Sequence, residues 1–265
     1  MTISLVNGVY MVLIGLLAGA ATGLSGASGV MIVVPLLTMV LQLPVKTAIG
    51  TSLMVDVIAS LGISYTYFRH GNIDLTSGVW VALGSVVGAQ LGSLLAVGIS
   101  EGGMSGAFGA FIGVAGIAML TGRTSLPERL SKTESVGLHL PNRALQSLVA
   151  AAIGLALGLV TGIMGAGGGV MILLVLLLVF HLPLHKAIGT STLVMAITAT
   201  SGALGYGLRG SISLWAGLLV GGGAVLGGVL SARFANRVSE EVLSRALGGI
   251  FVVLGLIMGL LQVFR

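Results

Sequence analysis

The chain is divided into apolar blocks, each long enough to cross a lipid bilayer as a helix. In the first half the blocks cover residues 9–41, 45–68, 75–97 and 104–120, and in the second about 148–180, 184–208, 214–235 and 242–264. A hydrocarbon core of roughly 30 Å takes about 20 apolar residues as a helix, whereas a spanning strand would need far fewer and would alternate polar with apolar. Only 12 Lys and Arg and 7 Asp and Glu accompany these blocks in 265 residues. A soluble domain carries roughly 25% charged residues, so this chain has too little charge to cover its cores toward water. Its outside has to face lipid, and the fold class is an all-α polytopic membrane protein. The first Lys or Arg is Lys46, after two apolar stretches. A cleaved leader would start with positive charge, so the N-terminal stretch is expected to stay as membrane structure.

The sequence repeats itself, without a gap, at an offset of 139 residues. Gly15, Gly19 and Gly23 match Gly154, Gly158 and Gly162, and Gly26-Ala27-Ser28-Gly29 matches Gly165-Ala166-Gly167-Gly168. Ala48-Ile49-Gly50-Thr51-Ser52 recurs as Ala187-Ile188-Gly189-Thr190-Ser191, and Pro44, Gly71, Gly84 and Gly88 match Pro183, Gly210, Gly223 and Gly227. The expected organisation is a first transmembrane repeat over residues 1–121, a polar cytoplasmic linker over 122–146 and a second repeat over 147–265.

The first block of each half is too long for one upright span. Residues 9–41 would make a helix of about 50 Å, and their middle holds Gly23, Ser25, Gly26, Ser28 and Gly29, which lower helix propensity together. Two helical arms joined by a glycine-rich break are expected, either as short spans or as the legs of a re-entrant hairpin. Each repeat then consists of this broken hairpin plus three spanning helices. Charge placement separates the two topologies. If each first block crosses once, the halves are parallel and the 12 basic residues divide seven against five. If each block turns back, the halves are inverted and the division is nine against three. The second fits the excess of Lys and Arg on cytoplasmic loops, and places both termini outside.

Unwound backbone at membrane depth is tolerated only where it packs in protein or lines a cavity. Two such breaks at matching positions can aim half-helix N-termini, with their free N–H groups and positive dipole ends, at an anion. Gly26, Ser28, Gly29, Gly165, Gly167, Gly168 and Gly169 are therefore the first binding candidates. Close helix packing is the competing explanation for glycine, and it accounts for the stripes at four-residue spacing better than for the clusters. Thr51 and Ser52, with Thr190 and Ser191, offer hydroxyls that could bond an anion or back-bond to a carbonyl one turn earlier. Asp56 lies about ten residues into its block, opposite Met195 in the repeat. An intramembrane carboxylate points to proton coupling or to pairing with a buried donor. Gln90 reads as a helix-to-helix bond, and Arg69 and Arg209 as anchors of helix ends.

Other chemistry is poorly supported. There is no cysteine, and His181 and His185 flank Pro183 without a third ligand nearby, so no metal or other cofactor is expected. The basic residues are scattered over loops, which excludes a nucleic-acid surface. No phosphate-binding P-loop is present. Gly26-Ala27-Ser28-Gly29 matches the short GxSG string of rhomboid intramembrane proteases. All four histidines fall in loops or at block ends, and Gly167 stands where Ser28 would recur, so an enzyme is not expected.

The duplicated break resembles the signature of the TauE/SafE sulfite exporter family, also called the four-toluene sulfonate uptake family. That pattern is roughly G-x-G-G-G, then four further residues and a proline, with a next helix that opens A-x-G-T-S. Gly165-Ala166-Gly167-Gly168-Gly169 fits it but ends in Leu174, whereas the first half keeps Pro35 and has Ser28 and Val30 in glycine positions. The resemblance covers nearly the whole chain. It implies a multi-pass permease of the cell inner membrane for a small organosulfur anion such as sulfite, sulfoacetate or a sulfonate, without ATP hydrolysis. The partners implied are that anion and the bilayer, and a homo-oligomer is compatible with such a chain. An anion channel is the alternative that composition leaves open, and an intramembrane serine protease the remote one. Tags at the N-terminus and in residues 122–146 should report opposite faces of the membrane; tags on the same face would rule out inverted halves.

Overall fold

The computed structural model describes residues 5–26, 28–100, 102–104, 106, 143–165, 168–180 and 182–238. They form eight long or medium helices and, among the described residues, no strand. In the first half these are α1 (Leu5–Ser25), α2 (Val30–Val40), α3 (Val45–Arg69) and α4 (Leu75–Gly98). In the second they are α5 (Arg143–Met164), α6 (Gly168–Leu178), α7 (Leu184–Gly207) and α8 (Leu214–Ala235). The two sets correspond one to one at the offset of the sequence repeat. Among the described residues six helices are long and apolar enough to cross a membrane; α2 and α6, at 11 residues each, are not. Each of these short helices is about 16 Å long, half a bilayer. The first block of each half is thus one full-length helix and one half-length arm. Helix α5 begins inside the segment expected to be linker, at Arg143; the rest of that segment and nearly all of the fourth apolar block of each half lie outside the described residues.

Local sequence sets the boundaries. Gly26 and Gly165 end α1 and α5 with φ of +65° and +67°, a left-handed conformation that glycine adopts without a Cβ clash. Their N–H groups close the last turn on the carbonyls of Thr22 and Thr161 at 2.8 and 2.7 Å. Pro44 and Pro183 precede α3 and α7 in extended backbone, where a missing N–H costs nothing.

The halves interlock rather than sit side by side. The first helix of each half packs on the last described helix of the other, α1 on α8 and α5 on α4, while α3 and α7 pack on each other. Glycine stripes explain the first two contacts. A Cβ added at Gly15, Gly19 or Gly23 would fall on the backbone carbonyls of Val220, Ala224 or Gly228, and one at Gly223 or Gly227 on those of Val12 or Leu16. Likewise Gly84, Gly88 and Gly92 lie against the carbonyls of Ala151, Leu155 and Leu159, and Gly154, Gly158 and Gly162 against Val81, Ser85 and Ala89. In lipid no hydrophobic force drives helices together, so close backbone approach and dispersion contacts supply the association.

The distribution of side chains is that of a protein solvated by hydrocarbon. Leu17, Leu61, Leu95, Leu148 and Leu230 are exposed, while Thr51, Ser52, Asp56, Ser60, Thr190, Ser191 and Thr192 are buried. The interior of α3 and α7 is the polar part of the molecule. Bonds between helices use some of it: Gln90 Nε2 donates to the Ser201 carbonyl at 2.8 Å, as a helix-to-helix bond, and the Ser85 and Thr198 hydroxyls pair. Gly88→Leu should prevent a stable fold, because the side chain would have to displace α5 backbone. Gly222→Ala, where a Cβ meets open space, should keep the stability or raise it by the usual helix gain of ~0.5–1 kcal/mol, with a melting temperature unchanged or higher. Thermal unfolding in detergent reads both.

Candidate substrate site at the two helix breaks

Each break lies against the helix that opens with the Ala-Ile-Gly-Thr-Ser motif of the opposite half. A Cβ at Gly26 would meet Ile188 Cα at 3.2 Å as well as the Ser191 hydroxyl, and one at Gly165 would meet Ile49 Cγ2 at 2.8 Å. The Ser191 hydroxyl reaches the Gly26 carbonyl at 3.4 Å in addition to its back-bond to Ile188 at 2.9 Å. Ser52 back-bonds to Ile49 at 2.7 Å. The structure therefore brings Gly26, Gly29, Ser28 and Ser191 together at one break, and Gly165 and Gly168 with the Ile49 turn at the other. Gly169 is buried beside Gly168, and Gly167 lies outside the described residues. Gly29 and Gly168 hold equivalent places: a Cβ at the first meets Thr22 Oγ1 at 3.2 Å, and at the second meets Thr161 Oγ1 at 2.6 Å. Short helices α2 and α6 begin here with their N-termini.

Thr51 and Thr190 perform a different local task. Thr51 Oγ1 accepts the N–H of Ser213, and Thr190 Oγ1 accepts the N–H of Asp74, both at 2.9 Å. Ser213 and Asp74 are repeat partners in the tight turns before α8 and α4, so the same bond is made twice across the halves. The neighbouring Gly50 and Gly189 let those turns come in: a Cβ at either would fall on the carbonyl of Ser211 or Asn72. The motif is thus a clasp, glycine for approach and threonine for the bond. Gly71 and Gly210 shape the turns with φ of +71° and +69°.

Two tyrosines complete the frame. Tyr67 donates to the Gly23 carbonyl and Tyr206 to that of Ile163, each at 3.0 Å. They tie the far ends of α3 and α7 to the last turns of α1 and α5, whose carbonyls would otherwise be orphaned beside the breaks. The signal for them was present in the sequence, since Tyr67 and Tyr206 are themselves repeat partners, but a tyrosine near the end of an apolar block reads as an interface anchor. Lys46 and His185, also repeat partners, place their side-chain nitrogens on the carbonyls of Val97 and Ala235 at 3.2 and 3.0 Å. Arg209 folds back onto the Gly205 carbonyl at the end of α7.

Asp56 lies midway along α3 and is 3% exposed. Ser28 donates its hydroxyl to Asp56 Oδ2, and the Gly29 N–H donates to the same carboxylate. Ser28 Oγ in turn accepts the N–H of Val30 at 3.2 Å. The carboxylate therefore sits on the N-terminus of α2, where positive dipole and free N–H groups favour an anion. The described histidines lie elsewhere, His70 on the Thr66 carbonyl and His185 on that of Ala235. Among the described residues no three His, Asp or Glu converge as metal ligands would. Thr51→Val and Thr190→Val should each lower stability by ~1 kcal/mol through loss of the acceptor for the turn N–H, and the double variant by about the sum. Thermal melts of the purified variants measure this.

A model of the family described as Sulfite exporter TauE/SafE matches residues 11–258. The probable membrane transporter protein YdhB of Bacillus subtilis (strain 168) is 29% identical over 241 residues, 89% of this chain and 94% of that protein. A second from the same organism, YunE, is 25% identical over 260 residues, 93% and 95% of the two chains. An archaeal relative, the probable membrane transporter protein MJ0441 of Methanocaldococcus jannaschii, is 25% identical over 268 residues, 94% of each chain. No solved structure matches the chain.

Proposed function

Because the chain belongs to the sulfite exporter TauE/SafE family, we propose that it is a secondary transporter moving a small organosulfur anion, such as sulfite, sulfoacetate or a sulfonate, across the cell inner membrane. That it is a multi-pass membrane transporter and not an enzyme follows from the family and from relatives aligned over nearly their full length. The observation that carries the finer reading is the pair of breaks, where left-handed Gly26 and Gly165 are followed by the N-termini of two half-length helices. Broken helices in corresponding positions of two halves are how transporters present N–H dipoles to an anion near the midplane.

In this reading the backbone N–H groups of Gly29, Gly167, Gly168 and Gly169 and the Ser28 hydroxyl meet the anion, and Gly26 and Gly165, whose own N–H groups close the last turns of α1 and α5, give the chain the left-handed turn that opens the site. Ser52 and Ser191 flank it from the turns beneath the breaks. Thr51 and Thr190 contribute by holding the cross-half turns that fix α3 and α7 in place. With no Lys or Arg among these groups the anion is held by dipoles alone, and weak binding suits release on the far side. The two halves are inverted, with residues 122–146 cytoplasmic; the movement that passes the anion takes place around α3, α7 and the short arms, and Asp56 couples it to protons.

Liposomes containing the purified protein should take up labelled sulfite or a small sulfonate, saturably, and faster with a pH gradient; uptake that rises linearly with concentration would indicate a channel instead. Gly168→Leu drives a side chain into Thr161 and the start of α6. It should reduce uptake to that of empty liposomes while the protein still inserts. Undiminished uptake would remove the breaks from the mechanism.

A further inference from the structure

The two breaks are alike in backbone but not in chemistry. In the first half Ser28 and the Gly29 N–H hold the Asp56 carboxylate at the start of α2. In the second half the same three repeat positions carry Gly167, Gly168 and Met195, so these positions supply neither hydroxyl nor carboxylate at α6. A third difference lies one turn along α3. Ser60 is fully buried, and its hydroxyl is the buried side-chain oxygen that has no hydrogen-bond partner among the described residues; its repeat partner is Ala199. Ser52, Asp56, Ser60 and Ser64 form a buried polar stripe at four-residue spacing on α3. The corresponding residues of α7 are Ser191, Met195, Ala199 and Ala203.

A buried hydroxyl left without a partner is costly, so its retention calls for an explanation. Residues four apart on a helix are neighbours, and Cβ atoms tilt toward the helix N-terminus, so the Ser60 hydroxyl leans back over the turn that carries Asp56. For a carboxyl group released from Ser28, this hydroxyl is the neighbour one turn along the same helix face. A carboxylate would gain little there beyond one hydroxyl; a protonated carboxyl has an O–H to donate and needs an acceptor, which Ser60 Oγ provides.

We propose that Asp56 is a tethered anion that occupies the start of α2 in the substrate-free protein, and that the transported anion takes this place only as Asp56 accepts a proton and swings to Ser60. One proton from the aqueous phase binds the carboxylate as one anionic charge enters, so the exchange at the first break is electrically neutral. The second break has no such competitor and binds the anion whatever the pH. Among the described residues, neighbouring elements bring no rival titratable group to this level. Helix α2 has none, α1 has Tyr10 near its start, α7 has His185, Lys186 and Tyr206 in its end turns, and α8 has Arg233 in its last turn. On α3 itself Lys46, Tyr65, Tyr67 and Arg69 lie at the two ends.

This deepens the reading of the chain as an organosulfur anion transporter and rests on it, but one of its tests needs no transport. Dicyclohexylcarbodiimide modifies protonated carboxyl groups in apolar surroundings, and peptide mass spectrometry locates the adduct. At neutral pH, sulfite or methanesulfonate should raise labelling of Asp56 about threefold or more by shifting the population toward the protonated, displaced form. Ser28→Ala should raise labelling similarly without any anion, and Ser60→Ala should remove most of the anion-induced rise. Labelling indifferent to both anions, or unchanged in both variants, overturns the proposal. In flux assays with methanesulfonate, whose charge does not change between mildly acidic and neutral pH, Asp56→Asn should abolish the pH dependence and leave uptake measurable. Anion-induced labelling without flux would sink the transport reading and keep the competition; flux without any change in labelling would do the reverse.

Discussion

Backbone-to-backbone contact between α1 and α8, and between α4 and α5, is the constraint on which the rest of the structure depends. Along both contacts the glycines recur every fourth residue, so one helix face presents no side chains and the carbonyls of the partner occupy the vacant volume. Within lipid such packing replaces the hydrophobic effect as the source of helix association. It also decides connectivity, since each pair joins a helix of one half to a helix of the other. The halves cannot separate without unpacking both seams. Any relative movement has to occur where the packing is different, around α3, α7 and the short arms.

That inner region is polar and held by bonds that occur twice. Thr51 and Thr190 fix the turns of the opposite half, Tyr67 and Tyr206 fix the ends of the helices that lead into the breaks, and Lys46 and His185 close on carbonyls near the ends of α4 and α8. Duplication of a bond in both halves marks it as part of the shared frame. The singletons stand out against that frame. Ser28, Asp56 and Ser60 have Gly167, Met195 and Ala199 as counterparts, and they cluster at one break.

Much of this was legible in the sequence because it depends on periodicity. Block lengths, glycine stripes and the two breaks follow from local composition, and the matching of halves from the constant offset. Gln90 and Arg209 behave as their types and positions suggested. The Ala-Ile-Gly-Thr-Ser motif was legible as important but not as a clasp. Its threonines bond residues more than a hundred positions away, and nothing local distinguishes a hydroxyl awaiting an anion from one awaiting a backbone N–H. Tyr67 and Tyr206 were overlooked for the same reason, since their partners are carbonyls exposed only when α1 and α5 stop.

The sequence by itself determined that the chain is helical, membrane-embedded and twofold repeated, because each of these follows from residue type and spacing along one dimension. It also determined where the helices break, because glycine clusters lower helix propensity wherever they occur. Only the tertiary structure decided that the halves interlock and that each break rests on the other half. It alone decided that Asp56 fills the start of α2 while Ser60 has no hydrogen-bond partner among the described residues. These are facts of distance in space between residues remote in sequence, set by how closely glycine lets the helices approach.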